Sequence, residues 1–298
     1  MMNKKTRDML IFLILYVLAC TVGVAVFSLV SSLPDIYRFL LADVASTLVI
    51  YLCSMLFKNA SLYDPYWSVI PPFMVGFAMI YYQAFGLANI LLLIALSVWG
   101  IRLTYNWASL WTGFHYMDWR YVEMKRKAPT LYPLTNLFGI QMFPTAIVFA
   151  QLACALMMIK INPQANFLTF LGAAIIGISA LIQLIADQQM KRFKARTHGE
   201  KKCIEEGLWK YSRHPNYFGE IMVWWGVYVM YLDAVETLDF MIISPILMTS
   251  LFLLISIPWM ERKILQTRPE YKDYQKRVSM IIPFFRRERD EDRLLDRA

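Results

Sequence analysis

Residues 9–30, MLIFLILYVLACTVGVAVFSLV, form an apolar run that contains no charged side chain. A helix of about 20 such residues spans the roughly 30 Å hydrocarbon core of a bilayer. The run is too long for a signal peptide and lacks an obvious small-residue cleavage site, so we expect a first transmembrane helix. Seven further stretches are similar, and breaks with proline, glycine, asparagine or charge separate them. They cover residues 38–57, 67–85, 87–107, 138–159, 166–187, 217–232 and 239–259.

The composition agrees with this pattern. Of the 298 residues, 58% are apolar and 17% are charged, whereas soluble domains have roughly 45–50% apolar and about 25% charged residues. This excludes an ordinary cytosolic enzyme, a secreted disulfide scaffold and a disordered chain. The four cysteines and three histidines lack the spacing of a zinc site, so we expect neither a disulfide framework nor a bound metal. The sequence predicts an all-α, polytopic helical bundle with about eight transmembrane helices.

The distribution of positive charge predicts the orientation. If the N-terminus is cytoplasmic, eight crossings place 28 of the 30 lysines and arginines on the inside and leave only Arg38 and Lys160 outside. This asymmetry follows the positive-inside rule. We therefore expect cytoplasmic N- and C-termini and a multi-pass protein of the cell inner membrane. The net charge of +8 is explained by orientation and by attraction to membrane lipids, so nucleic acid is not an expected partner.

Ionisable residues in or near the apolar runs are candidates for function, because hydrocarbon tolerates them poorly. Asp43, in the second run, is either an interfacial residue or a buried site. Arg102, at the inner end of the fourth run, either snorkels to the interface or points inward as an anion-binding cation. Asp187, Lys191 and Lys194 share one helical face, which is either a solvated ladder or a surface that accepts hydroxyls and phosphates.

Residues 207–220, GLWKYSRHPNYFGE, carry the densest polar signal. Pro215 predicts the start of a helix, which places Asn216 and Glu220 one turn apart at its cytoplasmic mouth. The N–H groups of such a helix start favour phosphate or carboxylate. A plain basic membrane anchor is the alternative, but it explains Arg213 and leaves Asn216 and Glu220 unexplained. Glu261, at the exit of the last run, is the other acid that this reading singles out.

Residues 211–220 resemble the steroid 5-alpha-reductase C-terminal family, together with Glu261 and a Tyr-x-x-Tyr to Pro-Phe ending. More closely, the whole chain looks like the bacterial domain-of-unknown-function group of that superfamily. The supporting motifs are DPYW at 64–67, WGIRL at 99–103, DWRY at 118–121 and ADQQ at 186–189. The resemblance implies an added N-terminal helix at 1–37, a seven-helix reductase-like membrane domain at 38–285, and a charged cytoplasmic tail at 286–298.

This family implies a helical cup, open to the cytoplasm, that holds NADPH while a lipid-like, steroid-like substrate enters from the bilayer. The chain has no GxGxxG motif, so a Rossmann domain is not expected. Lys194 and Lys202 stand where relatives often have arginine, which keeps the cation and loses its bidentate geometry. The cofactor-binding positions carried over are Arg102, Asp187, Lys194, Lys202, Tyr211, Arg213, His214, Asn216, Tyr217, Glu220 and Glu261.

The implied reaction is hydride transfer from NADPH to the carbon–carbon double bond of a conjugated carbonyl, while an acid polarises the carbonyl oxygen. In the steroid enzymes a Gln-Glu pair and a tyrosine supply the acid. Here Asp64 lies near the position of the pair, and Trp99 stands where the tyrosine is expected. The catalytic candidates are therefore Asp64, Tyr63 and Tyr105, with a helix cap as the alternative role of Asp64.

Two other functions stay open. Integral-membrane methyltransferases of the isoprenylcysteine and phospholipid type share the Arg-His-Pro-x-Tyr-x-Gly core and use S-adenosylmethionine. Their last helix is usually followed by two glutamates, whereas this chain has Met260 and Glu261. A non-catalytic lipid-binding membrane protein is the third possibility. The resemblance favours the oxidoreductase.

Overall fold

The computed structural model describes residues 3–285 and divides the chain into two units, Met1–Gln164 and Ala165–Ala298. Within the described residues the regular structure is helical, and the extended backbone is limited to one isolated bridge between Ser212 and Ser279. The all-α prediction is therefore confirmed. The charged tail predicted at 286–298 lies outside the described residues, and the boundary predicted near residue 37 stays a prediction.

Residues 3–164 of the first unit contain seven α-helices. They are α1 (Lys4–Leu29), α2 (Asp35–Leu56), α3 (Tyr66–Tyr82), α4 (Leu87–Leu110), α5 (Trp119–Lys127), the single turn α6 (Tyr132–Leu134) and α7 (Phe143–Ile161). A 3₁₀ turn, Ala60–Tyr63, precedes α3, and a π-helical stretch, Thr135–Met142, joins α6 to α7. Local chemistry sets some of these ends: Asn3 caps α1 with its side chain, and Asn162 ends α7 in the left-handed region.

Residues 165–285 of the second unit contain five α-helices. They are α8 (Phe167–Arg196), α9 (Pro215–Val235), α10 (Ile243–Ser250), α11 (Ile257–Leu265) and α12 (Tyr271–Arg277). A π-helical stretch, Leu251–Ser256, joins α10 to α11, so residues 243–265 form one continuous helical segment. Pro215 is the first residue of α9, as the sequence predicts, because its fixed φ and missing N–H suit the first helical turn.

Six segments of the described residues are long and apolar enough to cross a membrane. They are Lys4–Leu29, Asp35–Leu56, Leu87–Leu110, Tyr132–Ile161, Phe167–Arg196 and Phe240–Leu265. The other two predicted crossings coincide with α3, which has 17 residues, and with α9, which has 21. Length and composition thus establish a multi-pass helical membrane protein.

In the first unit, α1 packs closely along α2. The Ser46 hydroxyl donates to the carbonyl of Ala19, 2.9 Å away, and a Cβ added at Gly23 would lie 2.3 Å from that hydroxyl oxygen. Tyr16 donates to the carbonyl of Leu62 at 2.9 Å, and Phe12 lies within a cluster of aromatic rings. The first helix is therefore packed into this unit along its length.

In the second unit, α8 and α9 approach each other through small residues. A Cβ added at Gly172 would lie 2.6 Å from the carbonyl oxygen of Gly226 and 2.5 Å from Cγ of Met230. Small residues of this kind let helix backbones approach in membranes, where packing replaces the hydrophobic effect as the driving force. Gly172 is therefore required by the contact between α8 and α9.

We predict that Gly172→Ala destabilises the protein by about 1–3 kcal/mol, because the added methyl group overpacks the contact between α8 and α9. Gly177→Ala is the control, since a Cβ at this position of the same helix has no neighbour within 4 Å. Thermal unfolding in detergent, followed by tryptophan fluorescence, measures both variants. Equal midpoints for the two variants would contradict the close approach.

Candidate functional site

The segment between α8 and α9 is held against the end of α8. The Gln189 side chain accepts the N–H of Leu208 at 2.9 Å, and the Trp209 indole N–H donates to the carbonyl of Ala186 at 3.1 Å. Gly207 has φ +58°, and a Cβ there would lie about 2.4 Å from the Gln189 amide. Only glycine fits this turn, because L-residues are strained in that region and the amide occupies the space.

Four side chains converge on the Glu261 carboxylate. Oε1 accepts hydrogen bonds from Arg213 Nε at 2.8 Å and from the Tyr271 hydroxyl at 3.0 Å, and it lies 3.0 Å from His214 Nε2. Oε2 accepts from the Gln275 amide at 2.6 Å. Glu261 and His214 are both buried. We call these five residues the Glu261 cluster.

The partners of Glu261 suit a carboxylate acceptor. Burial, followed by the charge of Glu261, raises the pKa of Tyr271, so its hydroxyl keeps its proton and donates. Arg213 also donates from Nη1 to the backbone carbonyls of Gln275, at 2.8 Å, and Val278, at 2.9 Å. The guanidinium therefore ties the start of α9 to the end of α12.

The C-terminal part of the described chain runs beside residues 209–213. The Arg213 N–H donates to the carbonyl of Ser279 at 2.9 Å, and the Phe284 N–H donates to the carbonyl of Tyr211 at 3.0 Å. Ser212 Oγ donates to the carbonyl of Ile281 at 2.8 Å, and the Tyr274 hydroxyl donates to the carbonyl of Trp209. Residues 271–285 thus hold this loop in place.

At the start of α9 the two predicted polar residues have different environments. Glu220 is buried and accepts a hydrogen bond from the Gln183 amide of α8 at 2.7 Å. Asn216, one turn earlier, is partly buried. The ring of Tyr217 stacks on that of His214, with the centroids 5.4 Å apart. Glu220 therefore connects two helices, and Asn216 is the more accessible of the pair.

The remaining predicted cofactor-binding residues lie outside both the Glu261 cluster and the first turns of α9. Lys194, Lys202 and Tyr211 are exposed, and Lys202 forms a 2.7 Å ion pair with Glu200. Asp187 is partly buried near the end of α8, and Arg102 is partly buried on α4 of the first unit. The structure brings Arg213, His214 and Glu261 together, with Arg213 and His214 each hydrogen-bonded to the Glu261 carboxylate.

The three candidate acids are placed differently. The Asp64 carboxylate accepts the Tyr121 hydroxyl at 2.8 Å, and the Tyr63 hydroxyl lies 2.7 Å from Thr145 Oγ1. Tyr105 is 71% exposed on α4 and does not join either of these buried contacts. Burial, followed by the nearby Asp118 carboxylate, raises the pKa of Asp64 to about 7. Asp64 can therefore hold a proton near neutral pH.

Sequence reasoning missed several residues that shape these sites. Tyr121 lies inside the quoted 118–121 motif, but the sequence does not indicate that its hydroxyl contacts Asp64. Gln183 lies one helical turn before Asp187, which is a usable signal, and Gln189 lies inside the quoted 186–189 motif. Gln275 directly follows the quoted Tyr-x-x-Tyr, but no motif includes it. Among residues 3–285, no group of three or more histidine, cysteine, aspartate or glutamate side chains could hold a metal ion.

The fold and these clusters define a multi-pass helical membrane protein in which residues 271–285 hold the polar loop before α9 in place. The chain belongs to the DUF1295 family, described as a protein family of unknown function, which it matches over residues 50–278. It is similar to an uncharacterized protein of Schizosaccharomyces pombe, with 23% identity over 253 residues that cover 76% of this chain and 73% of the relative. No solved structure matches the chain.

We predict that Glu261→Ala destabilises the protein by about 3–5 kcal/mol, because it leaves Arg213 largely buried without its counter-charge. Glu206→Ala is the matched control: its pair with Arg196 is exposed, and such pairs contribute about 0–1 kcal/mol. Thermal and denaturant unfolding in detergent compare the two variants. Similar losses in both would mean that the Glu261 cluster does not hold this unit together.

A second prediction concerns pH. Because the pKa of Asp64 is raised from 3.8 to about 7, its contribution to stability is complete below about pH 4 and is lost as the pH rises through about 7. Asp64→Asn keeps an oxygen acceptor for Tyr121 and cannot ionise. The melting midpoint of the wild type should therefore fall, relative to that of the variant, between these pH values. A difference between the melting midpoints of wild type and Asp64→Asn that stays constant across this pH range would contradict the raised pKa of Asp64.

Proposed function

We propose that this protein is a membrane-embedded, NADPH-dependent reductase that acts on the carbon–carbon double bond of a conjugated carbonyl in a lipid-like, steroid-like substrate. The observation that supports this most is the clamped loop that leads into α9. It combines the motif residues of the resembled reductase family with a fixed backbone and a helix start. A flexible basic anchor needs no such clamp.

The second unit supplies the groups that a dinucleotide requires. Lys194 and Lys202 are exposed cations for phosphate, and Asn216 offers an amide beside the N–H groups of the first turn of α9. Asp187 is an acceptor suited to a hydroxyl group. In this proposal the Glu261 cluster positions the backbone, because Arg213 and His214 are each hydrogen-bonded to Glu261.

The candidate acids Asp64 and Tyr63 are residues of the first unit. NADPH, when bound, provides the hydride that adds to the β-carbon of the conjugated carbonyl. Asp64 and Tyr63 are the proton donors that we propose for the oxygen or the α-carbon, where negative charge develops. The raised pKa of Asp64 supports this role, because an acid works best when its pKa is near the working pH.

We further propose eight crossings, with α3 and α9 added to the six apolar segments, and both termini in the cytoplasm. The support is the inside location of 28 of the 30 lysines and arginines under this topology. It assigns residues 188–216 to the cytoplasm, where NADPH is available. For a bacterial chain this membrane is the inner membrane.

We predict that the purified protein binds NADPH and that Asn216→Ala raises the Kd by about tenfold or more, equivalent to about 1.4 kcal/mol. Lys194→Ala should weaken NADPH more than NADH, because the lost cation serves the extra phosphate. Lys276→Ala is the control, since its ion pair is exposed on α12 of the same unit. Quenching of tryptophan fluorescence or calorimetry in detergent gives the affinities.

S-adenosylmethionine is titrated in parallel. Binding of S-adenosylmethionine without NADPH would replace the reductase with a membrane methyltransferase of the isoprenylcysteine or phospholipid type. Failure of the wild type to bind either molecule would favour a non-catalytic lipid-binding protein. Unchanged NADPH affinity in Asn216→Ala and Lys194→Ala would remove these residues from the site.

A further inference from the structure

A cavity lies between α1, α2 and α3 in the first unit. It is bounded by Val24 of α1, by Asp43 and Ser46 of α2, and by Phe73 and Phe77 of α3, and we call it the α1–α3 cavity. The space between these helices amounts to about 320 Å³, part of which is open at the side. Pockets for small molecules begin at roughly 300 Å³. The α1–α3 cavity therefore has room for a slender ligand or for the end of a longer one.

The α1–α3 cavity is closed on the side of α2 and opens between α1 and α3. Asp43 and Ser46 are 2% and 5% exposed, whereas Val24 and Phe77 are partly exposed and Phe73 is 42% exposed. Both α1 and α2 are long and apolar enough to cross a membrane, so the exposed apolar side chains beside them face lipid. A ligand therefore reaches this cavity from the hydrocarbon of the bilayer.

The wall of the α1–α3 cavity offers little polar chemistry. Within the described residues that line it, Asp43 and Ser46 are the side chains that carry oxygen. The Ser46 hydroxyl is already used inside the protein, because it lies 2.9 Å from the carbonyl oxygens of both Ala19 and Ala42. Asp43 is thus the group with which a ligand can interact specifically.

One carboxyl oxygen of Asp43 is paired and the other is not. Oδ1 accepts a hydrogen bond from the Tyr66 hydroxyl at 2.7 Å. Oδ2 has no hydrogen-bond partner among residues 3–285. Buried polar atoms nearly always have a partner. The unpaired oxygen belongs to a residue that lines the cavity, which indicates that its partner comes from outside the chain.

The environment of Asp43 favours the protonated carboxyl. No lysine or arginine of residues 3–285 forms a salt bridge with it, and Arg38, earlier on α2, pairs with Asp35 at 3.2 Å. An ionised carboxylate without a counter-charge is very costly in hydrocarbon. Since the Tyr66 hydroxyl donates to Oδ1, the proton of the carboxyl is on Oδ2. Asp43 then offers a hydrogen-bond donor to the cavity.

A purely structural role and a bound water both explain the unpaired oxygen less well. The Tyr66 hydroxyl also donates to the backbone carbonyl of Asp43 at 3.0 Å, so holding Tyr66 does not require two carboxyl oxygens. A buried water needs about two to four polar partners. Of the described residues in the lining, Asp43 alone has a side-chain oxygen without a partner. An apolar molecule with a single acceptor matches the cavity better.

We propose that the α1–α3 cavity binds an uncharged, lipid-like molecule whose carbonyl oxygen accepts a hydrogen bond from Asp43. A carbonyl suits the site better than a hydroxyl, which brings a donor of its own into an apolar wall. The hydrocarbon part of the ligand packs against Val24, Phe73 and Phe77 and continues into the bilayer. This site goes beyond the proposed reductase function, because neither the nucleotide nor any of the candidate proton donors takes part.

Three probes with the same chain length test the chemistry of the site. They are 2-tetradecanone, tetradecane and tetradecylamine, and their binding is measured with the full-length protein in lipid nanodiscs, with empty nanodiscs to correct for partition into the lipid. We expect 2-tetradecanone to bind about fivefold more tightly than tetradecane, as one net hydrogen bond provides. Equal affinities for the ketone and the alkane would overturn the proposal. Tighter binding of the amine than of the ketone would also overturn it, because Asp43 would then be ionised.

Variants of Asp43 test the role of its proton. Asp43→Leu removes the donor, so it should raise the Kd of 2-tetradecanone about fivefold and leave that of tetradecane unchanged. Asp43→Asn keeps a donor and should keep the preference for the ketone. Unchanged ketone affinity in Asp43→Leu, or the same loss in Asp43→Asn, would overturn the hydrogen bond.

A pair of variants on α1 tests the location of the site, including the case in which Asp43→Leu does not fold. Val24→Trp fills the opening and should abolish saturable binding of 2-tetradecanone. Val17→Trp is the control, because Val17 is 59% exposed on the same helix and does not line the cavity. Unchanged ketone binding in Val24→Trp, or an equal loss in Val17→Trp, would overturn the site. These assays contain no nucleotide, so their results are separate from those that test the reductase.

Discussion

Hydrocarbon offers no hydrogen-bond partner, so every polar side chain within these apolar helices has to find one inside the protein. This constraint explains the buried polar contacts of both units. Asp43 is joined to Tyr66 in the first unit, and Glu220 is joined to Gln183 in the second. Each pair fixes two segments relative to each other, which apolar packing alone does less specifically. The polar residues are therefore the positions at which the bundle is most precisely defined.

The same constraint gives the Glu261 cluster its importance. A carboxylate with four partners, one of them a largely buried guanidinium, fixes the start of α9, the end of α11 and the whole of α12. The loop before α9 is thereby held on one side. Rigid placement is what a nucleotide site needs, because groups that are already ordered lose less entropy on binding. Lys194 and Asn216 can then act from a fixed frame.

Much of the fold could be predicted from the sequence, because the lengths of the apolar runs and the breaks between them indicate membrane helices. Pro215 marks the start of α9, and Asn162 marks the end of α7. The π-helical stretches at Thr135–Met142 and Leu251–Ser256 could not be predicted, since hydropathy carries no information about the register of backbone hydrogen bonds. The division of the chain at residue 164 likewise depends on packing between distant segments.

The candidate site was predictable in part. The motif and the resemblance indicated Arg213, His214 and Glu261 together, and the structure brings them together. Arg213 and His214 each contact the Glu261 carboxylate directly. The helix α12 adds Tyr271, which belongs to the quoted Tyr-x-x-Tyr, and Gln275, which no motif includes. Tyr105, the third candidate acid, is exposed on α4, which separates it from Tyr63 and Asp64, since sequence position does not determine which face a helix buries.

The central claim is that the loop before α9 and the end of α8 hold a reduced pyridine nucleotide. A structure of the detergent-solubilised protein with NADPH, determined by electron cryo-microscopy, tests it most directly. The account predicts nucleotide density beside Asn216, with the phosphates near Lys194 or Lys202 and a ribose near Asp187. Density elsewhere on the protein, or a site that fills with S-adenosylmethionine and stays empty with NADPH, would contradict it.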